Sequence, residues 1–294
     1  MADQLPAELA QWPAWTPGEE QLGELELITS GAYAALTGYL TTADLAAVSA
    51  RGELADGTPW PVPVTLTVPA STVPASTVPA RTGPPGADRL VLQDPEGSPL
   101  AVVEITERTS ADTSGATLRL AGPVTALRAP EHGPFRALRR TPAQVRAELG
   151  TAPVLAYPTR RPLGQRQVGQ LRHLAGQLRA TILLLPLVAG PADLVTRPEA
   201  LVRAVRAAAR QLPASTLVVP VPLPPRGDTA EELRARTVVA AAYGATHLLA
   251  EASGGGRGSR VRSGYWVLSR GFLGYSPGGW KPYAHWCWHV KRRG

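Results

Sequence analysis

The feature that most constrains the fold is an alternation of short apolar runs and helical segments across residues 153–250. Four runs are almost continuously apolar, and segments of about 10–15 residues with helical periodicity separate them. Strands that are buried on both faces have this composition, because neither set of side chains meets water. The pattern predicts a parallel sheet that is covered by helices on both faces. The four runs read PVLAYP, TILLLPLV, TLVVPVPL and THLLA.

Residues 1–150 show a different pattern, with short β-type runs separated by turn residues. The run WPVPVTLTV occupies residues 60–68, and RLVLQDPEGSPLAVVEITE occupies residues 89–107. The second run contains Asp-Pro-Glu-Gly at positions 94–97, a composition typical of a hairpin turn. The fold class predicted for the whole chain is therefore α/β. A β-rich domain over residues 1–150 precedes a parallel-sheet domain over residues 151–256.

Residues 257–294 differ in composition from the rest of the chain. They contain eight Arg and Lys residues and no Asp or Glu, and subtracting 8 from the net charge of +7 leaves −1 for residues 1–256. The segment has no sustained period and is predicted to be irregular. We interpret it as a C-terminus that was not selected together with the body, such as a frameshifted one. The alternative is a basic, aromatic arm that stacks on single-stranded nucleic acid.

Several classes of protein are not expected from the composition. The first residues, MADQLPAELAQWPAW, lack the basic and apolar regions of a signal peptide. The longest apolar run, residues 182–190, is too short to span a bilayer. The single cysteine, Cys287, excludes an internal disulfide, and its flanking histidines do not match a zinc pattern. We expect a cytoplasmic protein with no membrane partner and no tightly bound metal. Nucleic acid is not expected as a partner, since the body carries no net positive charge.

The loop that follows the first apolar run is the strongest candidate for a binding site. It reads PTRRPLGQR over residues 158–166 and leads into a helix. Ligands of open parallel sheets bind beyond the carboxyl ends of the strands, and helix N-termini favour anions. Thr159 offers a hydroxyl, Arg160 and Arg161 offer charged donors, and Gly164 allows close approach of the backbone. The alternative is a polar loop with two solvated arginines, and these residues alone do not separate the two.

The chain resembles the ATP sulfurylase (sulfate adenylyltransferase) family over residues 20–250. The resemblance lies in several blocks that occur in the family's order: GELELITSGAYAALTGYL, WPVPVTL, DPEGSPLAVVEI, AGPVTAL, AYPTRRPL and AAYGATHLL. It implies a PUA-like N-terminal domain followed by a Rossmann-like, parallel-sheet nucleotidyltransferase domain. It also implies a reaction in which ATP, with Mg²⁺, and sulfate give adenylylsulfate and pyrophosphate.

The resemblance implies three groups of active-site residues, and the sequence departs from the family in each. The family's Gln-Thr-Arg-Asn-Pro segment holds sulfate. Its counterpart here keeps Thr159 and Arg160 but has Pro158 and Arg161 at the Gln and Asn positions. We take Thr159, Arg160 and Arg161 as the candidate catalytic residues.

The second group is a His-x-x-His pair at the helix start, and the third is a nucleotide-binding loop rich in Gly, Arg and His. The counterparts of the two histidines are Gly164 and Gln167, and the loop reads EASGGG over residues 251–256. Neither Gly164 nor Gln167 can carry the positive charge that an imidazole supplies to phosphate. A loose alignment with a Met-Arg segment adds Arg226. The implied nucleotide-binding residues are Gly164, Gln165, Gln167, Arg226, Gly254 and Gly255.

Other titratable residues have structural interpretations. His173 lies off the apolar face of its helix and is predicted to be solvated, whereas His247 is predicted to pack. Glu231 and Glu232 open a helix, where acidic side chains offset the helix dipole.

Two functions remain open at this point. The first is a sulfate adenylyltransferase-like protein of sulfate assimilation whose activity is weak, altered or lost. The second is a non-catalytic nucleotide-binding or scaffold module, such as a degenerate sulfurylase region associated with an adenylylsulfate kinase. The chain itself contains no Gly-x-x-x-x-Gly-Lys-Ser/Thr motif of such a kinase. The expected partners are ATP, sulfate or another oxyanion, an adenylylsulfate kinase, and a second copy of the chain.

Overall fold

A computed structural model describes residues 7–73, 88–128, 135–190, 197–226, 229–251 and 265–269. In the first part of the chain the described residues form seven strands and three α-helices. In chain order these are β1 (Ala14–Trp15), α1 (Glu19–Thr29), β2 (Gly38–Tyr39), α2 (Thr42–Arg51), β3 (Leu66–Pro69), β4 (Arg89–Gln93), β5 (Pro99–Glu104), β6 (Glu107–Ser110), β7 (Thr117–Ala126) and α3 (Pro142–Leu149).

The seven strands form one mixed sheet that is organised around β7. The order is β1-β4-β5-β7-β2, and β3 and β6 also pair with β7. Strand β7 can serve four partners because it bends at Gly122, where φ is 143° and a Cβ atom would overlap the carbonyl oxygen of Glu104. Only glycine adopts this backbone region readily. The bend explains how ten residues span one curled sheet, and the prediction of a β-rich first domain is confirmed.

The predicted hairpin at residues 94–97 is confirmed as the connection between β4 and β5. The Gly97 N–H donates to the Asp94 carbonyl oxygen at 2.9 Å, and the Asp94 N–H donates to that of Ser98 at 2.9 Å. The Ser98 N–H also donates to Asp94 Oδ1 at 2.7 Å. An aspartate that binds the backbone ahead of it stabilises the turn by its own side chain.

The second part of the chain contains the predicted parallel sheet. Its described elements follow one another in the expected alternation of strands and helices. They are β8 (Val154–Thr159), α4 (Gln165–Leu178), β9 (Thr181–Pro186), α5 (Pro198–Ala209), β10 (Leu217–Val218), α6 (Thr229–Ala242), β11 (His247–Glu251) and β12 (Tyr265–Ser269).

The sheet order is β10-β9-β8-β11-β12, and the first four strands are parallel. Alternate residues of β8 face opposite layers. Leu155 and Tyr157 pack with α4 and α5, whereas Val154 and Ala156 join the cluster that includes α6 and the first domain. Both faces of the sheet are therefore covered, which confirms the α/β prediction and explains the continuous apolar runs.

Strand β12 corrects one expectation for the segment 257–294. Its backbone pairs antiparallel with β11, with His247 opposite Ser269 and Glu251 opposite Tyr265. The prediction of an irregular segment therefore fails over Tyr265–Ser269. An open strand edge offers unpaired N–H and C=O groups to any extended segment, and aromatic and β-branched residues favour that state. The other residues of this segment lie outside the described part of the chain.

The two parts of the chain share one hydrophobic cluster rather than two separate cores. Helix α1 approaches the connection between β10 and α6 at Gly23, where a Cβ atom would overlap the carbonyl oxygen of Pro222. A glycine is required at this position for the helix to pack so closely. Among the described residues, none of the helices is both long enough and apolar enough to cross a bilayer.

Candidate functional site

The candidate site lies where the order of the strands reverses. The chain builds β8, β9 and β10 outward in one direction and then returns through α6 to place β11 on the other side of β8. Because β8 and β11 are adjacent and parallel, their carboxyl ends lie at the same edge. Open α/β sheets bind ligands at such a switch point. Two of the implied motifs, residues 158–167 and 251–256, therefore begin at neighbouring strand ends.

Thr159 ends β8, and its hydroxyl is engaged within the loop itself. The hydroxyl donates to the Arg161 carbonyl oxygen at 2.7 Å and accepts from the Arg161 N–H at 3.0 Å. The residue is only 3% exposed. A hydroxyl has one proton to donate, so Thr159 has none left for an oxyanion in this arrangement. Its observed role is to shape the turn that follows β8.

Arg160 braces the carboxyl edge of the sheet. Its Nη1 donates to the Ala189 carbonyl oxygen at 3.1 Å, beyond the end of β9, and its Nη2 donates to that of Leu223 at 2.9 Å, beyond β10. Its Nε donates to Glu232 Oε1 at 2.9 Å. The side chain is about 10% exposed. Three of its five N–H groups are therefore used to join strand ends to α6.

Glu232 is the acceptor that organises this edge, and sequence reasoning assigned it only to the helix dipole. Its Oε1 is 2.7 Å from Arg236 Nη2, and its Oε2 accepts the Arg226 N–H at 2.9 Å. Burial acts to raise the pKa of Glu232, but Arg160 and Arg236 outweigh it and lower the pKa. The carboxylate therefore stays ionised. The only sequence signal for this role was an acidic residue in the first turn of α6.

Arg161 is an exposed cation of the loop. Within the described part of the chain its guanidinium forms no ion pair. A flexible, solvated guanidinium can turn toward an anion at the strand edge without breaking an existing contact. Of the three candidate catalytic residues, Arg161 is the one with its charge available.

The N-terminus of α4 follows this loop and supplies backbone donors. Gly164 is the N-cap residue, with φ −86° and ψ 173°. Its N–H donates to Gln167 Oε1 at 3.2 Å, so the Gln167 side chain caps the helix. Gln165 is exposed. The first N–H groups of a helix have no partner within it, and together with the dipole they favour an anion.

Arg226 lies at the contact between the two parts of the chain. Its Nη1 donates to the Pro63 carbonyl oxygen at 3.2 Å, and its Nη2 contacts Tyr33 Oη at 3.1 Å and the Glu24 carboxylate. The side chain is therefore turned toward the first domain. Its backbone N–H still joins the strand edge through Glu232.

The Glu24 carboxylate in this contact is buried, and one of its oxygens, Oε2, has no hydrogen-bond partner within the described part of the chain. Burial raises the pKa of Glu24 to about 7, although Arg226 and Tyr33 act to lower it. Desolvation of a carboxylate outweighs a single ion pair when water is excluded from both oxygens. Protonation of Glu24 is thus linked to the contact between the two parts of the chain.

The remaining candidate residues divide into two groups. Gly254 and Gly255 lie outside the described residues. His173 is exposed on α4, as predicted, and His247 is half-buried at the start of β11. The His247 Nδ1 lies 2.9 Å from Thr246 Oγ1, and burial lowers the pKa of His247. Among the described residues there is no group of three or more His, Cys, Asp or Glu that could hold a metal ion.

Comparison with known proteins agrees with this architecture. A family model described as a PUA-like domain matches residues 1–120. The sulfate adenylyltransferase of Deinococcus radiodurans is 32% identical over 208 residues, which are 62% of this chain and 50% of that protein. The sulfate adenylyltransferase of Aspergillus terreus is 28% identical over 289 residues, covering 90% and 49%. A solved structure named hexameric APS kinase from Thiobacillus denitrificans matches with a TM-score of 0.69 and 32% identity, covering 81% of this chain and 47% of that one.

The fold defines an α/β protein in which a PUA-like domain precedes a Rossmann-like domain with a parallel sheet. The chain is similar to sulfate adenylyltransferases, and its counterparts of the active-site motifs that the resemblance implies are degenerate. It spans about half the length of the curated relatives that it matches. Its activity, substrates and partners are therefore matters for proposal.

Proposed function

We propose that this chain is a sulfate adenylyltransferase-like protein whose adenylyl transfer from ATP to sulfate is weak, altered or lost. The family supports the reaction class. The strand edge supports binding of an anion, because it combines the exposed Arg161 with the N-terminus of α4. Nucleotide phosphates would contact the backbone at Gln165 and Gln167, beside Gly164 whose own N–H is held by Gln167, and Arg161 would supply positive charge.

The observation that carries the proposal is the engagement of Arg160. It is the charged residue of the loop that matches the family motif, and it is bound to Glu232 and two backbone carbonyl oxygens. Attack of sulfate on the α-phosphorus brings anions together, so catalysis depends on positive charge that is free to meet them. The charge of Arg160 is already balanced by Glu232, and Gly164 and Gln167 supply no imidazole in its place.

Mg²⁺ would enter with ATP rather than bind the protein first. This ion is commonly held by substrate phosphates, one or two carboxylates and water. The strand edge fits that mode, since its described carboxylate, Glu232, is committed to arginines. When bound, the ion would neutralise phosphate charge. The chain's own residues would orient the nucleotide at α4 and hold the oxyanion near Arg161.

The direct test measures pyrophosphate release from ATP and Mg²⁺, with and without sulfate or molybdate. The Deinococcus radiodurans relative, assayed in parallel, supplies the reference rate. We expect release that is slower by about a hundredfold or more, since loss of one transition-state donor typically has that effect. Sulfate-dependent release at the reference rate would contradict the proposal.

A gain-of-function variant tests the physical reason. In Gly164→His/Gln167→His the backbone at 164 accepts a side chain, because φ is −86°. The nearest neighbour of a Cβ there is Gln167 Oε1 at 3.0 Å, which the second substitution removes. We expect sulfate-dependent release to rise by about tenfold or more. The matched control is Gly169→His/Gly176→His, which adds two histidines to α4 at positions where a Cβ meets nothing within 4 Å.

If the control variant gains as much activity as the test variant, the imidazoles are not acting at the site. If neither gains while ATP still shifts the melting temperature, the missing histidines are not what limits catalysis. Either result would remove the chemical basis of the proposal.

A second function is favoured by the match to the hexameric APS kinase structure, of which this chain covers 47%. We propose as the alternative a non-catalytic nucleotide-binding or scaffold module that associates with an adenylylsulfate kinase or with further copies of itself. A thermal shift by ATP without pyrophosphate release would support it. Sedimentation of the chain alone and with an adenylylsulfate kinase would measure both associations. Sulfate-dependent turnover would exclude it.

We also propose a cytoplasmic location. The single cysteine is consistent with a chain that forms no internal disulfide. Fractionation of cells that express the tagged chain would test this, and recovery in a secreted fraction would contradict it.

A further inference from the structure

A cleft lies near the N-terminal ends of the parallel strands, away from the carboxyl edge formed by β8 and β11. It has a volume of about 550 Å³ and is formed by the C-terminal half of α5, the connection after it, and the edge strand β10. Thr216, which lines it, directly precedes β10, so the cleft is at the opposite end of the strands from Arg160. A volume of this size is in the range of small-molecule sites.

Three arginines give this cleft its charge. Arg203, Arg206 and Arg210 follow one another at spacings of three and four residues, so they share one face of the helix and its end. All three are exposed, and none forms an ion pair with another described residue. Glu199, one turn before Arg203, is not within ion-pair distance of it. Like charges at this spacing destabilise a helix, so nothing in the helix itself favours this row of arginines.

The helix dipole explains only part of this arrangement. Cations near a helix C-terminus are stabilised by a partial charge of about −0.5, and the effect is confined to the last turn. Helix α5 ends at Ala209, so Arg206 and Arg210 lie within that range and Arg203 does not. Three positive charges exceed the partial charge of the helix end, and the cleft keeps an excess of positive charge.

The floor of the cleft combines an apolar surface with one unsatisfied hydroxyl. Leu212, Pro213 and Val218 provide the apolar part. Thr216 Oγ1 is a buried atom with no hydrogen-bond partner among the described residues. A buried polar atom without a partner is unfavourable, and a bound ligand could supply the missing hydrogen bond.

The wall of the cleft is held in place from the neighbouring helix. The Arg172 guanidinium of α4 donates to the carbonyl oxygen of Gln211, the residue before the apolar floor begins. The Thr216 N–H donates to the Pro213 carbonyl oxygen at 2.9 Å, which closes the connection into a turn. The cleft is therefore shaped before any ligand arrives, which lowers the entropic cost of binding.

We propose that this cleft is a second anion site that binds a small organic phosphate or sulfate ester. The oxyanion contacts the guanidinium groups of Arg203, Arg206 and Arg210. The apolar body of the ligand lies on Leu212, Pro213 and Val218, and a ligand oxygen or N–H pairs with the Thr216 hydroxyl. No adenylyl transfer is required at this site, and the proposal stands independently of catalysis at the β8–α4 edge.

The test is isothermal titration with phenyl phosphate, phenyl sulfate, inorganic phosphate and phenol at low ionic strength. We expect both esters to bind, inorganic phosphate to bind about tenfold more weakly, and phenol to give no measurable heat. Arg206→Gln should weaken phenyl phosphate binding by about tenfold, and Thr216→Val by about threefold to tenfold. The matched control, Arg128→Gln, removes an exposed arginine of the first domain and should stay within about twofold of the wild type.

Arg161→Gln separates this cleft from the β8–α4 edge. If Arg161→Gln abolishes binding and Arg206→Gln does not, the ester binds at the β8–α4 edge and the proposal is wrong. Equal weakening by Arg128→Gln and Arg206→Gln would show a non-specific attraction of charge, which also overturns it. An absence of heat from both esters with the wild-type protein has the same consequence.

Discussion

Replacement of Glu24 by Gln should make the stability of the protein less dependent on pH. The carboxyl group has an ordinary pKa of 4.5 and a pKa of about 7 in the fold, where burial destabilises its charged form. The fold therefore binds this proton more tightly than the unfolded chain does. The contribution to stability is complete below the unfolded pKa and is lost as the pH rises through the folded value.

The magnitude follows from the two pKa values. A tenfold change in proton affinity corresponds to about 1.4 kcal/mol, so the difference between the ordinary pKa and the pKa in the fold is worth roughly 3 kcal/mol over the full pH range. Between about pH 5 and about pH 8, the linkage relation gives a loss of roughly 2–3 kcal/mol from this one group. We expect the wild type to lose that amount of unfolding free energy relative to Glu24→Gln over this interval.

Urea denaturation of both proteins at a series of pH values measures this difference. Trp60 is a suitable probe, because its ring packs edge-on against Tyr33 with centroids 5.1 Å apart, beside the Glu24 contact. Glu19→Gln is the matched control, since Glu19 is exposed on the same helix. A difference that stays constant with pH would refute the reasoning. A wild type that gains stability over the variant as the pH rises would show that Arg226 outweighs burial.

Substitutions at four further positions have defined outcomes in chemical denaturation. Arg160→Met should lower the unfolding free energy by about 3 kcal/mol, because it removes an ion-pair partner of the buried Glu232. Arg161→Gln should change the unfolding free energy by less than about 0.5 kcal/mol. Similar values for both variants would contradict the stabilising role of Arg160 at the strand edge. Gly122→Ala should cost about 3 kcal/mol or more or prevent folding, since φ is 143°, and a soluble variant of normal stability would show that β7 does not bend there. Thr41→Ala should cost about 1 kcal/mol by removing the cap of α2, and a Thr41→Ser variant should recover most of it.

The architecture of the second domain was predictable because the burial of a strand determines which residue types it contains. A strand with both faces covered must be apolar along its whole length, and β8 and β9 meet that condition. The hairpin after β4 was predictable for a similar reason, since Asp94 and Gly97 satisfy the turn locally. Strand β12 was missed, because its pairing depends on an open edge provided by a distant strand rather than on its own pattern.

The side-chain contacts of the candidate site, in contrast, were not predictable from the sequence. The loop after β8 was located correctly at the carboxyl edge, but the use of its side chains was not predictable. Arg160 meets Glu232, which is 72 residues away in the chain, and Arg226 meets Glu24, which is 202 residues away. No periodicity or local motif records contacts at such separations. Arg160 was interpreted as a ligand-binding residue from its loop position and the family motif, and Arg226 from a loose family alignment.

The amino-acid sequence was sufficient to predict the alternation of strands and helices, the turns, and the position of a polar loop at a helix N-terminus. These features depend on residues within a few positions of one another, so local propensity and hydrophobic period carry them. Which arginine side chains are engaged by other groups of the protein became known only from the tertiary structure. A guanidinium is free or engaged according to the carboxylates and carbonyl oxygens that folding brings within about 3 Å, and that distance is set by the packing of whole elements.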